Sequence, residues 1–289
     1  MNMKPDCLVC LFNQTLRVTK ALNLDDESAK KVLDEAAITI SKFSLNMTPP
    51  EAAAILYPQI SKIVKKDDVY EEKKIESTNK ALKLLDIVVE KVNSLKDDID
   101  GALRAAVLGN IIDFATQVMF DIEKEIDTIF KAKFAIDDKE SFKKKLKESK
   151  KVVVIGDNVG EHVFDKFMME IFFDFNPKID IFYITRGKPI INDVTAKDAK
   201  AIDIDKIAQI VDSGVDTPGF IYNKANDYTK KIFDEADLIL AKGMGNYECM
   251  EELKDDRIFF LFKVKCSVVA NKIGKNIGDL ICMNSRVKS

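Results

Sequence analysis

The spacing of apolar residues changes character about halfway along the chain. Up to about Ser149, apolar positions recur every three or four residues, and one such stripe is formed by Leu85, Val88, Val92 and Leu95. This period is typical of amphipathic helices. Similar patterns occur in DDESAKKVLDEAAITISKF, TPPEAAAILYPQISKIV and KESFKKKLKESK, whereas GALRAAVLGNIIDFATQVMF is apolar nearly all round and indicates a buried helix. The first half of the chain is therefore predicted to be helical.

Short apolar runs replace the helical stripes after residue 150. Buried strands are predicted for VVVIG, DIFYIT, DLILAKG and RIFFLFKV, with helical stretches such as EHVFDKFMMEIFF and AKAIDIDKIAQIV between them. Strands that alternate with helices indicate a mostly parallel sheet with helices on both faces. We therefore predict a helical domain over residues 1–149 and a Rossmann-like α/β domain over residues 150–289.

Composition and charge narrow the classes of function. The 289 residues carry a formal net charge of only -3, and basic residues do not form a block with interleaved aromatics, so nucleic acid is not an expected partner. Apolar runs stay well short of the ~20 residues that a membrane span needs. The opening residues MNMKPDCLVCLF have too short an apolar part for a signal peptide. We expect a cytoplasmic protein with no membrane partner, and the oligomeric state stays open.

Five cysteines are present, an odd number that argues against a disulfide framework. Cys7 and Cys10 form a CxxC motif, but no second CxxC or histidine pair completes a zinc site. The simplest interpretation is two small apolar residues on one face of the first helix. The sequence does not assign a chemical role to this motif.

Oxygen-bearing side chains follow the predicted strands. Asp157 and Asn158 come directly after VVVIG, and Asp193 lies in TRGKPIINDVT. Ligands of open α/β sheets bind outside the carboxyl ends of the strands. These three side chains would make an oxygen-only set, which suits Mg²⁺ or Mn²⁺ better than structural Zn²⁺. The alternative is that Asp157 or Asn158 caps the next helix and that Asp193 and Thr195 cap the helix after them.

Residues suited to binding phosphate are predicted at the same edge of the sheet. Lys242 ends the strand in KGMGNYE, and Gly243 and Gly245 allow the backbone N–H groups through Asn246 to form a nest for an anion. Arg186 is a second possible phosphate clamp, unless it forms only a surface ion pair. Hard-metal ligands and cations at one edge suit metal-assisted phosphate chemistry, with a carboxylate as general base because histidine is scarce.

The segment GNIID carries two polar residues inside an otherwise apolar helix. Asn110 and Asp113 are three residues apart and therefore share one face. Buried polar side chains need partners. Either these residues make caps and hydrogen bonds between helices, or their face closes over a polar site.

Taken together, the CxxC, GNIID, GDNVGE, RGKPIINDVT and KGMGNYE motifs resemble the damage-control phosphatase family, also called domain of unknown function 89, in its prokaryotic CxxC-bearing branch. The resemblance implies a helical region packed on a Rossmann-like domain and metal-dependent hydrolysis of small phosphate esters, including sugar phosphates and damaged or overflow metabolites. It implies a divalent cofactor, namely Mn²⁺, Mg²⁺, Co²⁺ or Ni²⁺.

The family motifs also suggest roles for individual residues. The resemblance implies Asp157, Asn158 and Asp193 as metal ligands and Lys242 as the phosphate-site lysine, with Asp157, Asp193 and Lys242 forming the catalytic set. Further substrate contacts are expected from Glu161, Arg186, Gly243, Gly245, Asn246, Asn110 and Asp113. Whether Asp157 is only a ligand or also a transient phosphoryl acceptor stays open.

Two other classes of protein compete with the phosphatase. A non-hydrolytic nucleotide- or cofactor-binding Rossmann protein, such as a methyltransferase, could use GDNVGE as a glycine-rich loop. The missing GxGxG pattern and the acidic residue of NDVT count against it. A scaffold that merely retains the fold would have no need of the complete set formed by Asp157, Asn158, Asp193 and Lys242.

Overall fold

The structure, a computed structural model, describes residues 1–108 and 119–286. The helices are α1 (Pro5–Ala21), α2 (Asp26–Ile40), α3 (Pro49–Val64), α4 (Glu71–Asn93), α5 (Asp98–Leu108), α6 (Met119–Lys131), α7 (Lys139–Glu148), α8 (Glu161–Phe175), α9 (Ala196–Lys200), α10 (Asp227–Asp234), α11 (Gly243–Met250) and α12 (Ser267–Ile273). The strands are β1 (Phe134–Asp137), β2 (Lys151–Ile155), β3 (Asp180–Thr185), β4 (Gln209–Asp212), β5 (Leu238–Lys242), β6 (Ile258–Lys263) and β7 (Leu280–Asn284).

The described strands form one sheet in the order β1-β7-β6-β5-β2-β3-β4. The five strands from β6 to β4 are parallel, whereas β7 runs antiparallel to β6 and β1 runs parallel to β7. The prediction of a mostly parallel α/β sheet is confirmed. The helix predicted for AKAIDIDKIAQIV is wrong over most of its length, because α9 ends at Lys200, a short 3-10 turn spans Ile204–Lys206, and residues 209–212 pair with β3 as the edge strand β4.

Alternating side chains of the strands build a core on each face of the sheet. Val152 and Val154 of β2 pack in one core with residues of α4, α5, α7 and α8. Val153 and Ile155 pack on the other face with residues of α10, α11 and α12. This alternation is what the period of two in a β-strand requires. Helices therefore cover both faces of the sheet, as predicted.

Helices α1, α2 and α3 share a third core, which also contains Ile190 from the loop after β3. Helix α3 begins at a capping box, in which Thr48 accepts from the N–H of Glu51 and the Glu51 carboxylate accepts from the N–H of Thr48. Pro49 occupies the first turn, where its missing N–H leaves no hydrogen bond unmade. Because Ile190 belongs to their core, these helices pack against the loop that carries Asp193.

The sheet begins before the domain boundary predicted at residue 150. Strand β1 lies within residues 1–149, and it pairs with β7. The division into two domains stays a prediction. Asn110 and Asp113 lie outside the described residues, so their predicted role also stays a prediction. Within residues 1–108 and 119–286, no helix has both the length and the apolar character to cross a membrane.

Candidate active site

The predicted site lies where the strand order reverses. The chain leaves β2 for β3 on one side and later returns to β5 on the other side of β2. Asp157 and Asn158 follow β2, and Lys242 is the last residue of β5. Such a switch point leaves a crevice at the carboxyl ends of the strands, which is where α/β proteins bind ligands.

Backbone hydrogen bonds bring the loop after β3 against the end of β2. The Val194 N–H donates to the Asp157 carbonyl at 2.8 Å, and the Val159 N–H donates to the Asn192 carbonyl at 2.8 Å. Asn158 and Asp193 form an isolated antiparallel bridge. The adjacent residues Asp157 and Asn158 are therefore brought by paired backbone next to Asp193, which is distant in the sequence, as the metal-site prediction requires.

Side-chain contacts orient the Asn158 amide. Its Nδ2 donates to Asp157 Oδ2 at 2.9 Å and to Glu161 Oε1 at 3.0 Å. The amide nitrogen is thus held by two carboxylates, and the role of the amide oxygen as a metal ligand stays a prediction. Helix capping does not explain Asp157 and Asn158, because the N-cap of α8 is Gly160 and no side chain caps it.

The capping alternative for the third segment holds in part. Thr195 is the N-cap of α9 and accepts from the Asp198 N–H. Asp193 is instead buried, and its Oδ2 accepts from Arg186 Nε at 2.8 Å. The two residues of NDVT therefore have separate tasks, one local to the helix and one within the site.

The carboxyl groups of the site are held away from water and close to one another. Burial and the charge of Asp193 raise the pKa of Asp157 to about 7. Burial also raises the pKa of Asp193 to about 6, although Arg186 opposes the shift. The pKa of Glu161 rises to about 8 through burial and the charge of Asp157, against the opposing effect of Lys242. A cation would relieve this cost, because it favours the ionised carboxylates.

The donor chemistry fits a hard divalent ion. In the predicted set, Asp157 and Asp193 would supply carboxylate oxygens and Asn158 an amide oxygen, ligands that suit Mg²⁺ or Mn²⁺. In the described part of the chain, no three His, Cys, Asp or Glu side chains are arranged to hold an ion by themselves. The predicted set differs from such a cluster because its third member is an amide.

Lys242 is fully buried, and its ammonium group is engaged with protein. Nζ donates to Asp165 Oδ1 at 2.6 Å and to the Ala106 carbonyl at 2.8 Å, and it lies 3.5 Å from Glu161 Oε2. Burial lowers the pKa of this lysine, but the carboxylates of Asp165 and Glu161 outweigh that effect and raise it overall. Lys242 is therefore a cation, and its direct contact with phosphate stays a prediction.

Sequence reasoning overlooked Asp165. This residue lies one helical turn after Glu161 on α8, so the two carboxylates share the buried side of the helix, whose other buried residues are mostly apolar. Both are almost completely buried. The spacing of two carboxylates by four residues among apolar ones was the signal that could have identified Asp165.

Arg186 is also completely buried, so the surface ion pair considered above does not apply. Beyond its bond to Asp193, Nη2 donates to Asn246 Oδ1 at 3.1 Å. Its Nη1 has no hydrogen-bond partner among the described residues. A buried guanidinium nitrogen without a partner is unusual and is suited to an anion such as phosphate.

Asn246 links the end of β5 to the loop after β2 through hydrogen bonds. Its Nδ2 donates to the Lys242 carbonyl at 2.6 Å and to the Gly156 carbonyl at 3.1 Å, and its Oδ1 also accepts from the Phe220 N–H at 2.7 Å. Every polar atom of the side chain thus has a protein partner. The predicted contact between Asn246 and substrate stays a prediction.

The glycines after β5 allow close approach of the backbone. A Cβ on Gly243 would lie 1.9 Å from Asp157 Oδ2, and this residue has a φ of +77°. A Cβ on Gly245 would lie 2.3 Å from the Pro218 carbonyl. The first residue of α11 therefore contacts Asp157 directly, whereas Gly245 is required for packing against a neighbouring loop.

A cavity of about 490 Å³ lies between the three predicted metal ligands and helices α1 and α3. Besides Asp157, Asn158 and Asp193, its lining includes Glu248, Lys265, Cys7, Cys10, Cys266, Leu11, Gln14, Pro49, Ala53, Ile191 and Met244. Cys7 and Cys10 lie on α1 and are free thiols. Sequence reasoning missed Glu248, although it is the last residue of the KGMGNYE motif, and it missed Lys265, which reaches the cavity only through the packing of distant segments.

Comparisons with known proteins agree with the motifs. The chain matches the family model described as the damage-control phosphatase ARMT1-like domain over residues 3–281. A damage-control phosphatase of Pyrococcus horikoshii is 32% identical over 290 residues, which cover 100% of both chains. A damage-control phosphatase of Archaeoglobus fulgidus is 32% identical over 285 residues, covering 97% of this chain and 98% of the relative.

The fold agrees as well. The crystal structure of a DUF89 family protein from Pyrococcus horikoshii superposes with a TM-score of 0.91 at 31% identity, covering 99% of each chain. Matches of this extent in both sequence and structure confirm the predicted membership, and the chain belongs to the damage-control phosphatase family.

Proposed function

We propose that the protein is a metal-dependent phosphatase that hydrolyses small phosphate monoesters, such as sugar phosphates or damaged metabolites. Family membership supports the phosphatase role. The observation that carries the finer proposal is the pairing of Asn158 with Asp193 beside Asp157, at the floor of a cavity large enough for a small phosphate ester.

We expect the ion to be held by Asp157, Asn158 and Asp193. Burial disfavours the ionised form of the two aspartates and raises their pKa values, and a bound ion would offset that penalty. When bound, Mn²⁺, Mg²⁺, Co²⁺ or Ni²⁺ supplies a Lewis acid for phosphoryl oxygen and lowers the pKa of water. Glu161 contributes by fixing the Asn158 amide through its 3.0 Å hydrogen bond.

Two cations of the site are suited to the phosphate itself. Arg186 is bound to Asp193, which lines the cavity, and its buried Nη1 has no hydrogen-bond partner among the described residues. Lys265 is exposed, lines the cavity and has no carboxylate partner in the described residues. Its charge lowers the pKa of both Asp157 and Glu161, which indicates that it lies near them. A phosphate brings about two negative charges, so more than one cation is needed.

The general base is expected to be a carboxylate. Glu248 lines the same cavity, and burial together with the charge of Asp157 raises its pKa to about 7. A base with a pKa near the working pH accepts a proton from water most effectively. The single histidine, His162, is unsuited, because it is buried, accepts from the Gly160 N–H, and has a pKa lowered to about 4 by burial.

Hydrolysis of p-nitrophenyl phosphate tests the proposal. The protein is first stripped with EDTA and then supplied with each of the four metals. Activity should be absent after stripping and should return with metal. Asp193→Asn should lower activity by about 100-fold or more, since even outer partners of a metal typically contribute 10- to 100-fold.

Asparagine is preferable to alanine at this position. It keeps an acceptor for Arg186, whose buried charge would otherwise lose its partner at a cost of about 3–5 kcal/mol. Asp180→Asn is the matched control, because Asp180 is exposed at the opposite end of β3. No hydrolysis with any of the four metals, or full activity of Asp193→Asn, would contradict the proposal. A panel of phosphorylated metabolites then identifies the substrate.

A further inference from the structure

A chain of buried polar contacts connects the core of the sheet to the predicted metal ligands. It begins at Tyr183 on β3, whose hydroxyl donates to Asp165 Oδ2 at 2.9 Å. The other oxygen of Asp165 accepts from Lys242 at 2.6 Å, and Lys242 in turn lies 3.5 Å from Glu161. Glu161 accepts from the Asn158 amide.

Each link of this chain has a defined direction. Asp165 uses its two oxygens for two different donors, so its carboxylate cannot rotate without losing one of them. Lys242 is anchored from a second side by the Ala106 carbonyl of α5. Its ammonium group is therefore fixed beside Glu161, in a region that is closed to solvent.

We propose that Asp165 is a positioning residue that acts on the metal site through Lys242. By holding the Lys242 cation beside Glu161, Asp165 keeps that carboxylate in place to accept from Asn158, so the amide oxygen stays directed toward the ion. This inference rests on the proposed function for its metal site. It adds that an aspartate outside the predicted ligand set controls that site.

The expected size of the effect follows from other metal sites. Partners that orient the ligands of a metal typically contribute 10- to 100-fold to metal affinity or activity. Asp165→Asn keeps the volume of the side chain and one oxygen, but it removes the charge that fixes Lys242. Affinity for Mn²⁺ should fall by about 10-fold, and turnover of p-nitrophenyl phosphate should fall at least as much.

A double-mutant cycle distinguishes positioning through Lys242 from a general structural effect. Mn²⁺ affinity is measured by titration calorimetry for Asp165→Asn, Lys242→Met and the double variant. If Asp165 acts through Lys242, the double variant should bind Mn²⁺ as Lys242→Met does, because no cation remains to be positioned. Thermal unfolding of each variant shows that it is folded.

Asp174→Asn is the matched control, since Asp174 lies on the same helix and is exposed. Its Mn²⁺ affinity should equal that of the unmodified protein. If Asp165→Asn alone fails to fold, Lys242→Met should itself bind Mn²⁺ about 10-fold more weakly than the unmodified protein, and the double variant should bind it as Lys242→Met does; an unchanged affinity in Lys242→Met would then overturn the inference.

Two results would overturn the inference: unchanged Mn²⁺ affinity in Asp165→Asn, or a further loss in the double variant equal to the loss in the single one. Failure of the proposed function looks different. In that case the unmodified protein would hydrolyse no phosphate ester, while the Mn²⁺ titrations would still show the non-additive cycle and support the role of Asp165.

Discussion

Two lysines lie near the predicted metal ligands, and they differ in exposure and in partners. Lys242 is fully buried between Asp165, Glu161 and the Ala106 carbonyl. Lys265 is exposed at the cavity and has no carboxylate partner in the residues that the structure describes. A substrate phosphate would have to displace Asp165 to reach the first cation, but it can meet the second without breaking an ion pair.

Lys265→Met should therefore weaken substrate binding while leaving stability nearly unchanged. A hydrogen bond to a charged group contributes about 1.5–3 kcal/mol, which corresponds to a roughly 10- to 100-fold rise in KM. Stability should change by less than about 0.5 kcal/mol, because the side chain is exposed. Steady-state kinetics and inhibition by inorganic phosphate measure the effect.

The control for this variant is Lys178→Met. Lys178 is exposed just before β3, at the end of that strand opposite to the cavity. Its KM and its inhibition by phosphate should match those of the unmodified protein. An unchanged KM in Lys265→Met would remove Lys265 from the substrate site.

The residues that sequence reasoning found are those fixed by local context. Asp157 and Asn158 follow an apolar strand directly, so their place at the sheet edge could be predicted from neighbouring residues alone. Lys242 was placed at the same edge, but its partner Asp165 lies 77 positions away and becomes visible only when β5 packs against α8. The spacing of Glu161 and Asp165 could have marked a polar pair on α8, but a single sequence does not show that Lys242 is its partner.

At the scale of elements, four strong apolar runs were predicted correctly as strands, whereas the edge strands β1 and β4 and the buried strand β7 were missed. VVVIG, DIFYIT, DLILAKG and RIFFLFKV correspond to β2, β3, β5 and β6 in the middle of the sheet. The short edge strands β1 and β4 have four residues each. In β4 the backbone pairing with β3 decided the structure against a helical pattern, which is the usual way in which tertiary contacts override local preference.

The start of α11 is an element that depends on one glycine. Gly243 combines a positive φ with a backbone so close to Asp157 that any side chain would collide with the carboxylate. Gly243→Ala should therefore destabilise the protein by about 1–3 kcal/mol or more and should displace Asp157. Thermal unfolding and Mn²⁺ titration measure the two effects.

Gly274→Ala separates the backbone strain of a positive φ from the steric clash between a new Cβ and Asp157. Gly274 has a similar φ of +65°, but a Cβ there would meet nothing within 4 Å. This control should cost about 1–2 kcal/mol from the left-handed conformation alone, with Mn²⁺ binding unchanged. If Gly243→Ala binds Mn²⁺ as tightly as Gly274→Ala does, the contact between α11 and Asp157 is not important for the ion.

At the scale of the whole molecule, the site places three carboxyl groups together in a buried region, where their ionised forms are unfavourable. Asp157, Asp193 and Glu161 all have pKa values raised by burial, to about 7, 6 and 8. In the unfolded chain such groups titrate near pH 4. The folded protein therefore binds protons more tightly than the unfolded chain, and the stability linked to these groups is lost as pH rises through their folded pKa values.

Metal-free protein should accordingly become less stable between about pH 6.5 and 8, and Mn²⁺ should reverse the trend. The lower limit of this range excludes the titration of His162. The lowered pKa of this residue makes stability rise with pH between about pH 4 and 6.5. Because the ion takes the place of protons on these carboxylates, the rise in Tm caused by Mn²⁺ should grow with pH. Thermal unfolding at three pH values, with EDTA and with Mn²⁺, measures both trends, and Asp157→Asn should make the metal-free one less steep, since Glu161 and Glu248 still contribute to it. A metal-free Tm that stays constant or rises over this range would show that the pKa values of these acids are not raised, and a Mn²⁺ shift that does not change with pH would show that Asp157 and Asp193 do not bind the ion.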